Sequence, residues 1–256
     1  MKNFTKTLLS LALSTGLMIV LSSDISAQQS TKLPSQILDL NNWKLNVPEG
    51  IKTPGGSDEY RQPELQTYNN ENWFYANKAG NAVVFRAITG GTTTKGSGYP
   101  RSELREMIDN GKKNASWSSS TGTHTLFIDQ SIIHLPVKKP HIVVGQIHDA
   151  DDDVIVFRLE KNKLFVKMDN DKGPILDENY QLGTRFTVMF KVVNDQTECY
   201  YNSKLMFTYP KAFTGAYFKA GTYVQSSCQG KRKVEGEACD AYGAVEIYKV
   251  WTKHEL

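Results

Sequence analysis

The chain is read as all-β, an antiparallel sandwich, on three observations. Short segments rich in β-branched and aromatic residues recur along it, among them NAVVFRAI, HTLFIDQSII, HIVVGQIH, DVIVFRLE, KLFVKM, RFTVMFKVV, TECYYN, KLMFTY, YFKAGTYVQ and AVEIYKVW. Turn-forming runs such as EKNK, NDQ, NSK and the glycine-rich ITGGTTTKGSGYP separate them. Helical periodicity is nearly absent, and only Ser35–Leu40 and Pro210–Phe213 read as single helical turns.

The elements follow in chain order. Residues 1–27 have the layout of a secretory signal peptide: Lys2 and Lys6, an apolar run from Leu8 to Leu21, and a small-residue cleavage site at Ile25-Ser26-Ala27. The apolar run is short of the roughly 20 residues that span a bilayer. The processed chain is expected to begin near Gln28, secreted or periplasmic and without a membrane segment. Residues 28–256 then form one domain, ample for a single β core. The signal removes two lysines and one aspartate, which takes the formal charge from +3 to about +2. So even a balance argues against a nucleic-acid protein. Any anionic ligand must meet a local positive patch.

Export permits disulfides. Three cysteines allow three pairings, and the sequence alone does not choose among them; Cys228–Cys239, which flank a polar, charged loop suited to a staple, are the favoured pair, with Cys199 then buried in a strand.

Strand alternation sorts the remaining polar residues. Residues i, i+2 and i+4 share a face. In RSELR, Arg101, Glu103 and Arg105 share one side. In VVGQIH, Val144, Gln146 and His148 do so, while Gly145 and Ile147 face inward. In YFKAGTYVQ, Tyr217, Lys219, Gly221, Tyr223 and Gln225 form the third polar row. Ordinary wet faces are rich in Lys, Glu and Thr. Rows of Arg, Gln, His and Tyr point instead to a recognition groove.

Two arginines, a lysine and a histidine suit an anion, and arginine offers a planar fork to a carboxylate. Tyrosine rings and glutamine amides suit sugars. A polyuronate satisfies both demands. Hydrolysis of a glycoside needs two carboxyl groups across the bond, and only Glu103 stands in the rows, between two arginines where ion pairing is its natural role. The five histidines (His124, His134, His141, His148 and His254) have no zinc-ligand spacing. Asp149, Asp151, Asp152 and Asp153 lack the glycine and glutamate of a calcium loop and read as a solvated turn. Gly90-Gly91 and Gly96–Gly98 lack a phosphate-loop context and read as a flexible loop beside the groove. No metal or cofactor is expected. β-Elimination needs a neutralised carboxylate, a base and an acid. Arg and Gln, His, and Tyr supply them.

The segments RSELRE, QIH and YFKAGTYVQ resemble the three signature segments of the polysaccharide lyase family 7 alginate lyases. WKLNVP at Trp43–Pro48 and VEIYKVWTKH at Val245–His254 are similar to the family's opening and closing strands. The resemblance implies a β-jelly roll of two curved antiparallel sheets, with alginate in a concave groove and endolytic cleavage to unsaturated uronate ends. By position it implies that Gln146 and an arginine, Arg105 before Arg101, neutralise the carboxylate. It makes His148 the base and Tyr223 the acid, with Tyr223 in both roles on mannuronate. Lys219, Gln225, Tyr217 and Glu103 would contact substrate. Ile147, the middle of QIH, is associated in the family with accepting guluronate. The protein is expected to work as a monomer on alginate. A non-catalytic lectin-like module and a lyase for another polyuronate are the competing readings.

Overall fold

The computed structural model describes residues 1–2, 32–169 and 171–255. The expected leader, residues 1–27, falls outside the described residues apart from Met1 and Lys2. The first eight strands are Trp43–Val47 (β1), Asp58–Tyr60 (β2), Phe74–Ala76 (β3), Val83–Ile88 (β4), Arg101–Ile108 (β5), Lys113–Asn114 (β6), Thr123–His134 (β7) and His141–His148 (β8). The rest are Asp153–Glu160 (β9), Lys163–Met168 (β10), Asp171–Asp177 (β11), Arg185–Val193 (β12), Gln196–Tyr201 (β13), Lys204–Pro210 (β14), Tyr217–Val224 (β15) and Tyr242–Glu255 (β16).

They form two antiparallel sheets. The larger runs β11-β10-β9-β8-β15-β5-β1-β2, with β6 on β5, and the smaller runs β14-β13-β12-β7-β16-β4-β3. The sandwich expected from the strand spacing is therefore present. Strands absent from the sequence reading are short or irregular. In β11 the run DKGPILD contains Pro174, tolerable because β11 is the sheet's edge and its N–H side need not be paired. The helical turn expected at Ser35–Leu40 is a 3-10 turn at Pro34–Gln36. None forms at Pro210–Phe213, where the chain leaves β14 instead.

The inward rows of the two sheets make one core. Phe157 of the larger sheet stacks on Phe190 of the smaller with ring centroids 4.1 Å apart, both fully buried. In β8 simple alternation fails. Val143 pairs with Arg158 and Gly145 with Phe157, so Val144 is an inserted residue. Val144 lies in the core rather than on the groove face, and Val143 takes the outward place beside Gln146. A glycine suits position 145 because a Cβ there would come 2.8 Å from Ile128 Cδ1 of the opposite sheet.

A polar tie joins the sheets next to β15. Glu106 of β5 accepts the Trp117 indole N–H at 3.0 Å and the Phe218 backbone N–H at 3.1 Å. Its other oxygen faces His254 Nε2 at 2.7 Å, and His254 Nδ1 meets His124 Nδ1 at 2.6 Å. His124 Nε2 points at the carbonyls of Thr121 and Ser118, so it must be the donor there. His254 then donates from Nδ1, and one proton must lie between its Nε2 and Glu106. The disulfide is Cys228–Cys239, as read from the loop, and Cys199 is free and buried.

Removing the inter-sheet ring is expected to be costly. Phe157→Ala should lower the unfolding free energy by about 3–5 kcal/mol in denaturant titration. A loss below 1 kcal/mol would mean that the two sheets do not depend on this contact.

Candidate active site

Strands β8, β15 and β5 lie side by side, and their outward rows form one floor. Gln146 stands opposite Lys219 and His148 opposite Tyr217. On the other flank Lys219 stands opposite Arg105, Gly221 opposite Glu103 and Tyr223 opposite Arg101. The three rows that alternation picked out separately are thus brought together by strand order.

At the centre sits Glu103, 1% exposed. Lys219 Nζ approaches it at 2.6 Å and Arg101 Nη1 at 3.0 Å, while the Gln146 amide donates to its second oxygen. Burial alone would raise the Glu103 carboxyl, but Lys219 and Arg101 outweigh it and hold it low. Burial, aided by Arg101, brings Lys219 down to about 8 although Glu103 opposes the shift. Glu103 was expected to touch substrate. It is buried in the floor with its oxygens engaged by three side chains, as the ion-pairing role suggested. It fixes the Gln146 amide, whose second N–H remains for a ligand.

Two stacked pairs edge this centre. The Arg105 guanidinium lies 3.8 Å from the Tyr217 ring centroid, and His148 stacks on Tyr217 with centroids 5.2 Å apart. His148 Nδ1 donates to the Asp149 carbonyl at 2.8 Å, so the neutral ring presents a free Nε2. Burial lowers the His148 pKa below its ordinary 6.5, with Lys219 and Arg101 acting in the same sense.

At the other end, the Arg101 guanidinium lies 3.9 Å from the Tyr223 ring centroid. The Tyr223 hydroxyl is 3.0 Å from Ser97 Oγ. Ser97 Oγ donates to the Tyr99 carbonyl at 3.0 Å and accepts from Arg101 at 3.1 Å. It also accepts the Tyr99 backbone N–H at 3.2 Å, so the Tyr223 hydroxyl is positioned by a fully engaged Ser97. Tyr223 stands opposite Val143 and His148 opposite Tyr217, so the two make no direct contact and the Gln146–Lys219 pair lies between them along the strands.

A cavity of about 540 Å³ opens over β8, β9, β10 and β15. Of the residues selected from sequence, Gln146, Tyr223 and Gln225 line it. The others are buried in the floor or stand beside it. Gly96, Ser97 and Gly98 line it too, in the loop that the sequence placed beside the groove, and so do Tyr99, Lys139, Arg158, Lys167 and Arg232, which the sequence reading missed. Arg158 donates to Gln225 at 3.2 Å, and Lys139 to Tyr99 at 3.1 Å. Outward alternation of VFRLE and KLFVKM flags Arg158 and Lys167. Arg232 sits in the 3-10 turn Gly230–Arg232 and had no such signal. The aspartates form the expected turn, with Asp151 and Asp152 N–H groups on Asp149 Oδ1. Asp153 is also a groove residue, 3.3 Å from Lys167. Among the described residues no cluster of His, Cys, Asp and Glu could hold a metal ion.

The family model described as "Alginate lyase" matches residues 38–254. A solved alginate lyase from polysaccharide lyase family 7 is 50% identical, with a TM-score of 0.83 over 88% of this chain and 100% of that one. The alginate lyase from Corynebacterium sp. is 42% identical, with a TM-score of 0.82 over 87% of this chain and 98% of that one. A curated alginate lyase from Klebsiella pneumoniae is 27% identical over 165 residues, 55% of this chain. The chain spans about half the length of that curated relative, 53%.

Glu103→Gln leaves Arg101 and Lys219 facing each other without their anion. It should cost about 3–5 kcal/mol of stability in denaturant titration, as expected for breaking a buried ion cluster. A variant as stable as the parent would show that the carboxylate is dispensable.

Proposed function

The chain belongs to the polysaccharide lyase family 7 alginate lyases, and from that premise we propose that it is a secreted, endolytic alginate lyase. It opens 1,4 glycosidic bonds by β-elimination and leaves a 4,5-unsaturated uronate end. The observation that carries this reading is the floor itself: a carboxylate-binding amide and cations held by Glu103, flanked by a free imidazole nitrogen and an oriented phenol.

The chemistry follows from the parts. Gln146 and the arginines Arg105 and Arg101 draw charge from the uronate carboxylate, which acidifies C5–H. His148 Nε2 takes that proton. The C–H electron pair forms the C4–C5 double bond, and the C4–O4 bond breaks. O4 leaves with the proton of Tyr223, whose phenolate regains one from solvent. Burial keeps His148 unprotonated at neutral pH, so it needs no further activation. Tyr217 fixes the imidazole plane from beneath, and Lys219 and Gln225 hold neighbouring sugar groups. On mannuronate, where proton and leaving group lie on one side, Tyr223 takes both roles.

Secretion is supported by the charged start and apolar run of residues 1–27. Endolytic action is supported by a groove that runs on from Tyr223 across β9 and β10. Acceptance of guluronate rests on Ile147, fully buried beneath the floor, which acts through packing.

Incubation with alginate should raise ultraviolet absorbance from the conjugated double bond. No rise with polyguluronate, polymannuronate or mixed polymer, or a rise only with polyglucuronate, would overturn the reading. Tyr223→Phe should lose about a hundredfold or more in turnover on every alginate, the scale of a lost general acid. His148→Ala should lose as much on polyguluronate and less on polymannuronate. Equal losses on both would count against the double role of Tyr223.

The pH profile has a worked sign. A base must be deprotonated, so kcat/KM should climb with pH in a range below 6.5. The Lys219 cation is lost as pH rises through about 8, so kcat/KM should fall there. A flat profile between pH 7 and 10 would remove Lys219 from substrate binding.

A further inference from the structure

Beyond the groove lies a second cavity of about 700 Å³. Three loops wall it: Gly55 from the first, Gly91 to Gly98 from the second, and Ser227 to Arg232 from the third. It shares Gly96, Ser97, Gly98 and Arg232 with the groove, so the two spaces adjoin across one rim. That rim is tightly built. A Cβ on Gly98 would fall 2.4 Å from Arg232 Cγ, so only glycine lets the arginine pack there.

The loops are held in place. The Asp58 carboxylate accepts the N–H groups of Ile51, Lys52 and Thr53 at 2.8–3.0 Å, which fixes the first loop. Thr92 N–H donates to the Pro48 carbonyl at 3.1 Å and Gly90 N–H to the Cys239 carbonyl at 2.9 Å. The Gln229 amide donates to the Gly90 carbonyl at 3.0 Å, and the Cys228–Cys239 disulfide closes the third loop. The cavity therefore exists before any ligand arrives.

Its chemistry differs from that of the groove. The groove contains Asp152, Asp153 and Asp169. The second cavity contains no carboxylate. Its polar lining is Thr92, Thr93, Ser97, Ser227 and Gln229 with two cations, Lys231 and Arg232. Among the described residues neither cation has a carboxylate within ion-pair distance, whereas neighbouring Lys233 pairs with Glu235 at 3.4 Å. Hydroxyl and amide groups around unpaired cations suit a hydroxylated anion. The adjoining groove supplies one: the next uronate units of a chain already bound at the floor.

We propose that this cavity is a distal uronate subsite, which takes a polymer's anionic sugars after they cross the Ser97–Gly98 and Arg232 rim. It rests on the alginate lyase reading. It makes turnover depend on chain length, because only oligomers long enough to cross the rim reach Lys231.

The test compares wild type with Lys231→Ala on a ladder of defined oligouronates, from the shortest one cleaved up to polymer. Lys231 is exposed and makes no ion pair, so circular dichroism and melting should be unchanged. In wild type kcat/KM should keep rising with length. The variant should lose about three- to fivefold on long substrates, through KM, and progressively less as length falls, with the deficit shrinking in high salt. A double variant with Thr93→Val should deepen the length-dependent loss. A deficit equal at every length, or none at any, overturns the subsite while leaving the lyase reading intact. Absence of product from wild type on every length overturns both.

Discussion

The site depends on one buried carboxylate. Glu103 draws together Arg101, Lys219 and Gln146, which come from three adjacent strands. Two cations and an amide within one small region would otherwise repel or rotate. None of the four residues is more than 7% exposed, so each interaction is strong and an unpaired member is costly. The consequences spread outward. Arg101 stays against the Tyr223 ring and reaches Ser97, whose hydroxyl meets the phenol. Lys219 holds a lowered proton affinity because it is buried. The groove's polar groups are thus held in place by a residue that is itself almost fully buried.

The fold serves this cluster through strand order and through one irregularity. Placing β8, β15 and β5 side by side turns three separate rows into a floor. The bulge at Val144 then sends two successive residues into the core and resets which side chains face out. It leaves Gln146 and His148 outward and brings Val143 into the groove. The Glu106–His254–His124 tie secures the start of β15 against the smaller sheet, next to Tyr217. The proposed lyase chemistry needs groups fixed to within a fraction of an ångström, and these packed strands provide that.

Much was legible in the chain before its structure. Recurrent β-branched segments gave the strands, because burial on a pleated sheet selects those residues. His141–His148 and Asp153–Glu160 coincide with segments read directly from sequence. The polar rows around Arg101, Gln146 and Tyr223 were visible because their composition was wrong for an ordinary wet face. The short charged loop between two cysteines favoured one of three possible pairings, the one that forms. Val144 was misplaced because a bulge leaves no mark in the alternation itself. Arg232 was missed because a turn residue has no periodic partner, and Arg158, though outward by alternation, was passed over because a lone arginine among apolar neighbours does not make a polar row.

By itself, then, the sequence determined the element types, the faces and the chemical kinds of residue available, since these follow from period-two patterning and side-chain chemistry. Tertiary structure alone decided which rows became neighbours and which polar groups were buried. It buried Glu103 among Arg101, Lys219 and Gln146, separated His148 from Tyr223 along the strands, and brought Ser97 and Arg232 to one rim. Those outcomes depend on contacts between residues distant in the chain, and local patterning carries no information about them.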